Sequence, residues 1–215
     1  MAELLYNTKL IQTVLSYRRQ KRVDFVLSKV DVFSGMSILD VGCGPDGRSF
    51  EDFAHRDLKI VGVDILDEDQ IHMNHPNFQY FKQDAQDLSR FADHEFDLCV
   101  SFGMMEHICD HSILRRMYSE IDRVSKQWII VVPWKYAIIE PHFKFPFFQL
   151  LPYFFKITLT RTLNLHGLRN AVREDYNHIR DNYQWLTSSE WIGIFQGGRV
   201  YITPYKDTIA IVKHM

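Results

Sequence analysis

The sequence predicts an α/β domain: a largely parallel sheet with helices on both faces and a last strand that runs the opposite way. Three observations carry this. Short apolar runs between residues 37 and 132 alternate with helical segments, the pattern of strands joined by crossovers. The first run stops at a cluster of glycines. Two terminal runs are separated only by Lys206-Asp207, a gap that permits a hairpin and no crossover.

The bulk properties agree. A length of 215 residues suits one domain over 1–215. With 46% hydrophobic and 24% charged residues, the chain can bury a core and is neither disordered nor fibrous. A net charge of -2 argues against a domain that grips phosphates, so no nucleic-acid partner is expected. Cys43, Cys99 and Cys109 form no CxxC pair. A reducing, cytoplasmic setting is expected, with no disulfide scaffold and no metal site. The opening MAELLYNTKL has no long apolar run, so no secretory signal is expected.

Residues 1–30 read as a helical segment. Leu4, Leu5, Leu10, Ile11, Val14 and Leu15, then Val23, Val26 and Leu27, recur at roughly helical spacing. Arg18, Arg19, Lys21 and Arg22 cluster within it, as a solvated face or as a contact for a phosphate or anionic surface. Strands are predicted at Ser37–Val41, Lys59–Asp64, Phe78–Phe81, Phe96–Phe102 and Trp128–Val132, where apolar runs are short and bounded. A helix is expected from Arg48 to His55, and another from Asp110 to about Val124. Thr187 with Glu190 makes a capping-box start for a helix over Trp191–Phe195, which Gly197-Gly198 stops. Val200–Tyr205 and Thr208–Lys213 complete seven strands. Residues 138–184 stand apart as an aromatic-rich insertion, expected to form a helical cap; 12 of the chain's 30 aromatics lie between Trp134 and Trp185.

The chemistry begins where the first strand ends. Gly42-Cys43-Gly44-Pro45-Asp46-Gly47 spells GxGxxG between a strand and a predicted helix. Such glycines let the backbone turn sharply and approach a ligand. Asp64 ends the second strand 20 residues beyond Gly44, where a carboxylate can accept both ribose hydroxyls of an adenosine. Two ligands fit this pattern, a nicotinamide dinucleotide and S-adenosylmethionine (SAM). Asp40 favours SAM. Just before the glycines, its carboxylate would repel a pyrophosphate, whereas SAM carries a sulfonium and an ammonium.

These residues also resemble a known family. Ile38-Leu39-Asp40-Val41-Gly42-Cys43-Gly44-Pro45-Asp46-Gly47 is similar to motif I of the class I SAM-dependent methyltransferases. The likeness continues at Val63-Asp64-Ile65, at Gln83–Leu88 and at Phe96–Ser101. Met105-Glu106-His107-Ile108 resembles the segment after the fourth strand in small-molecule, type 11-like members. Residues 36–134 and 187–213 are covered. The resemblance implies a Rossmann-like doubly wound, seven-stranded sheet with an antiparallel last strand. It implies that Gly42 and Gly44 pass under the methionine portion of SAM, with Asp40 near its amino group. Asp64 and Ile65 would bind the ribose, and Asp84 and Ala85 the adenine. Ser101 and Phe102 would line the methyl-transfer mouth, with Glu106 and His107 at its edge.

The acceptor is less defined. Residues 101–104 read Ser101-Phe102-Gly103-Met104 and lack the Asn/Asp-Pro-Pro-aromatic run of enzymes that methylate base amines. An acceptor hydroxyl of high pKa needs a base, and the candidates are His107, His111, His142, Tyr136 and Glu140. Residues 140–152 resemble, more weakly, a segment of bacterial surface-glycan methyltransferases. Residues 143–159 are apolar but interrupted by Lys144, Pro146, Pro152 and Lys156, too short and broken to span a bilayer. They can be a packed cap, a lid over an apolar acceptor pocket, or a peripheral membrane patch. The reading is a cytoplasmic methyltransferase acting on oxygen or nitrogen of a small molecule or saccharide, a lipid-linked one included. His107, Glu106 and His142 are its candidate catalytic residues. An NAD(P)-dependent oxidoreductase and a non-catalytic SAM- or partner-binding member are the alternatives.

Overall fold

A computed structural model describes residues 9–47 and 57–214. The expected helix from Arg48 to His55 and the first eight residues lie outside that range. Seven strands form one sheet in the order β3-β2-β1-β4-β5-β7-β6. They are β1 (Ser37–Val41), β2 (Lys59–Asp64), β3 (Phe78–Lys82), β4 (Phe96–Phe102), β5 (Ser125–Pro133), β6 (Arg199–Ile202) and β7 (Thr208–Lys213). The strands β1 to β5 pair in parallel, while β7 runs antiparallel to both β5 and β6.

Alternation along the strands sorts the core into two layers. Ile38, Leu98, Val100, Ile129, Val131, Ala210 and Val212 face Val23, Val26 and Leu27 of helix α1 (Lys9–Leu27). Leu39, Cys99, Trp128, Ile130, Val132, Ile209 and Ile211 face helix α2 (His111–Val124) and Trp191 and Ile194 of a later helix. Helix α2 starts where Asp110 accepts the Ser112 N–H at 2.7 Å, which satisfies one of the donors a helix start leaves open. Its Leu114, Met117, Ile121 and Val124 are buried, one stripe at helical spacing.

Residues 134–187 pack around a third cluster made of Phe143, Phe148, Ile157, Val172 and Ile179. They contain α3 (Tyr153–Leu163), α4 (Ala171–Glu174) and α5 (His178–Asn182). The capping box at Thr187 and Glu190 is present and opens α6 (Ser188–Ile194).

The final hairpin differs from the expectation. β6 ends at Ile202, not Tyr205, and the connection spans Thr203 to Asp207. At the mouth of this loop the Thr203 N–H donates to the Thr208 carbonyl at 3.1 Å, and the Thr203 hydroxyl meets the Thr208 carbonyl and hydroxyl oxygens, both at 2.9 Å. Lys206 takes the left-handed turn, with φ 52°. The loop also carries an anchor: Asp207 accepts from Arg22 of α1 at 2.7 Å and lies 3.6 Å from Arg18, and Arg18 stacks over Tyr205 at 4.5 Å.

Candidate functional site

The strand order reverses between β1 and β4, and in open α/β sheets the crevice beyond the carboxyl ends at such a point is where ligands bind. The glycine loop sits there. Gly42 has φ 75°, and a side-chain carbon at this position would stand 2.6 Å from Met104 Cγ. Only glycine combines that left-handed turn with so close an approach. Gly44 has φ 65°, and its N–H donates to Asp64 Oδ2 at 3.0 Å. The other Asp64 oxygen accepts the Ile65 N–H at 2.8 Å. Asp64 thus ties the tip of β2 to the glycine turn.

This end of the sheet is electronegative. Asp40 is completely buried. Burial and then the Asp40 carboxylate push the thiols of Cys43 and Cys99 well up from their ordinary range. The Tyr80 hydroxyl donates to the Leu66 carbonyl at 2.7 Å. Burial and then Asp64 push it up to about 12.

A cleft of about 430 Å³ opens from the glycine loop. Gly42, Gly44, Phe102, Glu106 and His142 line it, and Arg19 and Arg22 reach it from α1. Ser101 is fully buried and, unlike Phe102, does not line the cleft. Asp64, Ile65, Asp84 and Ala85 stand on the β2–β3 side, outside the cleft. Ile65 is exposed and Ala85 buried, while the Asp84 carboxylate accepts the Gln86 N–H at 2.8 Å.

The far wall joins two segments distant in sequence. Glu106, in a short turn after β4, is 2% exposed and Glu140 0%. His142 lies between them. Its Nδ1 is 3.0 Å from Glu140 Oε1 and its Nε2 3.5 Å from Glu106 Oε1. Burial alone would depress the imidazole, but the two carboxylates outweigh it and hold the pKa at about 9. Glu140 also accepts from the Phe143 N–H at 2.6 Å and from Trp185 Nε1 at 3.1 Å. These bonds and His142 keep it below its ordinary value despite burial. The second oxygen of Glu106 is buried with no hydrogen-bond partner among the described residues. His107 Nδ1 is 3.0 Å from the Asn182 carbonyl, and its ring packs edge-on to His142 and Tyr183, 5.2 and 4.9 Å between centroids.

Of the other base candidates, His111 bonds Gln184 at 3.2 Å on the surface and Tyr136 is exposed. Sequence reasoning grouped His107, Glu106 and His142 as candidate catalytic residues and offered Glu140 only as a separate base candidate, without its contact to His142. It did not single out Tyr183 or Trp185, whose only signal was the aromatic surplus. It left Arg19 and Arg22 within one basic cluster with Arg18 and Lys21, although helical spacing turns these two toward the same side.

The methyltransferase-domain family matches residues 39–129. Residues 39–129 therefore carry a methyltransferase domain of the class I SAM-dependent superfamily. The chain is 31% identical over 98 residues to cyclopropane-fatty-acyl-phospholipid synthase of Escherichia coli K12, a stretch covering 44% of this chain and 25% of that protein. It is 27% identical over 129 residues to ubiquinone biosynthesis O-methyltransferase of Pseudomonas fluorescens Pf0-1, covering 52% and 55%. The match therefore spans between a quarter and about half of these curated relatives. Its fold is similar to a chain of the complex between the Haloferax volcanii Trm112 methyltransferase activator and a methyltransferase, with TM-score 0.58, 14% identity and coverage of 97% and 95%. The family match on this methyltransferase domain includes the glycine loop, Asp64, Asp84, Glu106 and His107, and stops before Glu140 and His142.

Proposed function

We propose that the protein binds SAM across the glycine loop and transfers its methyl group to an oxygen or nitrogen of a small-molecule or saccharide acceptor. One observation carries this reading: a single cleft runs from Gly42 and Gly44 to Glu106 and His142. The methionine portion of SAM would lie over the glycines, with its cationic end in the field of Asp40. Arg19 and Arg22 would pair with its carboxylate. Asp64 would take the ribose hydroxyls, and Asp84 and Ala85 the adenine. That leaves Phe102, Glu106 and His142 for the acceptor.

Transfer is an in-line displacement. The acceptor lone pair forms the new bond to the methyl carbon, the sulfur–methyl bond breaks, and the acceptor proton must leave. At neutral pH His142, with a pKa of about 9, already holds its proton. It is therefore a donor to Glu106 and Glu140 rather than an empty base. The proton acceptor in this arrangement is Glu106, whose second buried oxygen has no hydrogen-bond partner among the described residues. His142 orients that carboxylate, and Glu140 orients His142.

Residues 138–184 would act as the cap over this acceptor end. Phe147, Phe154 and Phe155 on the cap are exposed, which suits an acceptor with an apolar or lipid-linked tail. Labelled methyl transfer from SAM to a panel of phenols, sugars and amines tests the reading. We expect product with one class, and a fall of about 100-fold or more in kcat for Glu106→Gln. Saturable SAM binding with no transfer to any class would sink it in favour of a non-catalytic member.

A further inference from the structure

The geometry points to a divalent transition-metal site at Glu106, His107 and His142, on the acceptor wall of the cleft. One donor atom from each of these residues lies within 4.8 Å of the others. Around a tetrahedral ion with bonds of about 2.0–2.1 Å, ligand atoms stand about 3.3 Å apart. The Glu106 Oε1 to His142 Nε2 distance is already 3.5 Å.

The surroundings of the histidines supply an independent argument. A metal-binding imidazole is fixed by a bond from its other ring nitrogen to a carboxylate or carbonyl. Both rings are held in that way. His142 places Nδ1 on the buried Glu140 carboxylate at 3.0 Å. His107 places Nδ1 on the Asn182 carbonyl at 3.0 Å. A carbonyl only accepts, so His107 Nδ1 carries the hydrogen and its Nε2 is the available ligand. Glu140 is itself oriented by Phe143 N–H and Trp185 Nε1, so the outer shell is fully bonded. A 2+ ion would balance the two buried carboxylates, Glu106 and Glu140. It would bind through Glu106 Oε1 and His142 Nε2, displacing the proton that Nε2 holds in the ion-free site, and leave the second Glu106 oxygen facing the acceptor.

Two imidazoles and one carboxylate suit zinc, iron, cobalt or nickel better than magnesium or calcium, which prefer all-oxygen shells. Three protein ligands leave a position open, and Glu106 and His142 line the cleft, so that position would take an acceptor oxygen. This rests on the proposal that this wall is the acceptor end.

The test titrates untagged protein with zinc chloride and, separately, with cobalt chloride, read by calorimetry and by the visible absorption of bound cobalt. We expect one ion per chain and a spectrum of low coordination number. Affinity should fall by about 100-fold or more in Glu106→Gln and His107→Gln, and by about 10- to 100-fold in Glu140→Gln. Thermal melts of each variant control for folding, and His107, only half-buried, is the substitution least able to disturb it. No binding at millimolar zinc would overturn the site. So would affinity unchanged in His107→Gln, which would place the ion elsewhere. S-adenosylhomocysteine titrations on the same samples separate the two proposals: protein that binds the nucleoside but takes up no zinc defeats the metal site alone, and protein that binds neither defeats both.

Discussion

Lys156→Met should stabilise the protein. The ammonium of Lys156 is almost buried in the 138–184 segment, with 9% of the residue exposed. It lies 4.3 Å above the Trp185 ring. Burial lowers its pKa from the ordinary 10.5 to about 8, partly offset by Glu140. That fall corresponds to about 3 kcal/mol of cost at neutral pH. Losing the contact with Trp185 returns about 1 kcal/mol, so the expected net gain is about 1–3 kcal/mol. Lys156 is charged in both folded and unfolded chains below pH 8, where the cost is complete. Between about 8 and 10.5 the folded chain sheds the proton first, and the cost fades. Urea unfolding of wild type and variant at pH 7 and pH 10 reads this directly, and the advantage of Met should shrink at the higher pH. A variant that is less stable at pH 7, or one whose advantage is the same at both, would refute the reasoning.

Other perturbations have definite outcomes. Gly42→Ala combines φ 75° with a contact of 2.6 Å to Met104, and should cost about 1–3 kcal/mol in a urea melt and weaken cofactor binding. Asp110→Ala removes the cap of α2; thermal melts should show a loss of about 0.5–2 kcal/mol. Asp207→Asn loosens Arg18 and Arg22; global stability should change by only about 1 kcal/mol, while hydrogen exchange in α1 speeds up.

Legibility followed the range of the interactions. β1, β2, β4 and β7 match their predicted ranges residue for residue, because each is an apolar run bounded by its own neighbours. Asp110 and Thr187 announce their helices for the same reason, since caps act within three residues. β5 starts earlier than predicted, at Ser125, because polar Ser125 and Gln127 pair with β4 without an apolar signal. The helices α3 to α5 left no usable period. They are held by Phe143, Phe148, Ile157, Val172 and Ile179, contacts that only the folded chain brings together. The site divides likewise. The glycine turn and Asp64 are local features of strand ends and were readable. The meeting of Glu106 with Glu140 and His142 crosses more than thirty residues of chain. No spacing rule links residues so far apart.

Calorimetric titration with S-adenosylhomocysteine, against NADH as a control, tests the central claim most directly. A saturable one-to-one heat is expected with the nucleoside and none with NADH. Asp64→Ala should weaken binding by about 10- to 100-fold, the loss of hydrogen bonds to a charged acceptor. No heat at high protein concentration, or binding of NADH instead, would contradict it.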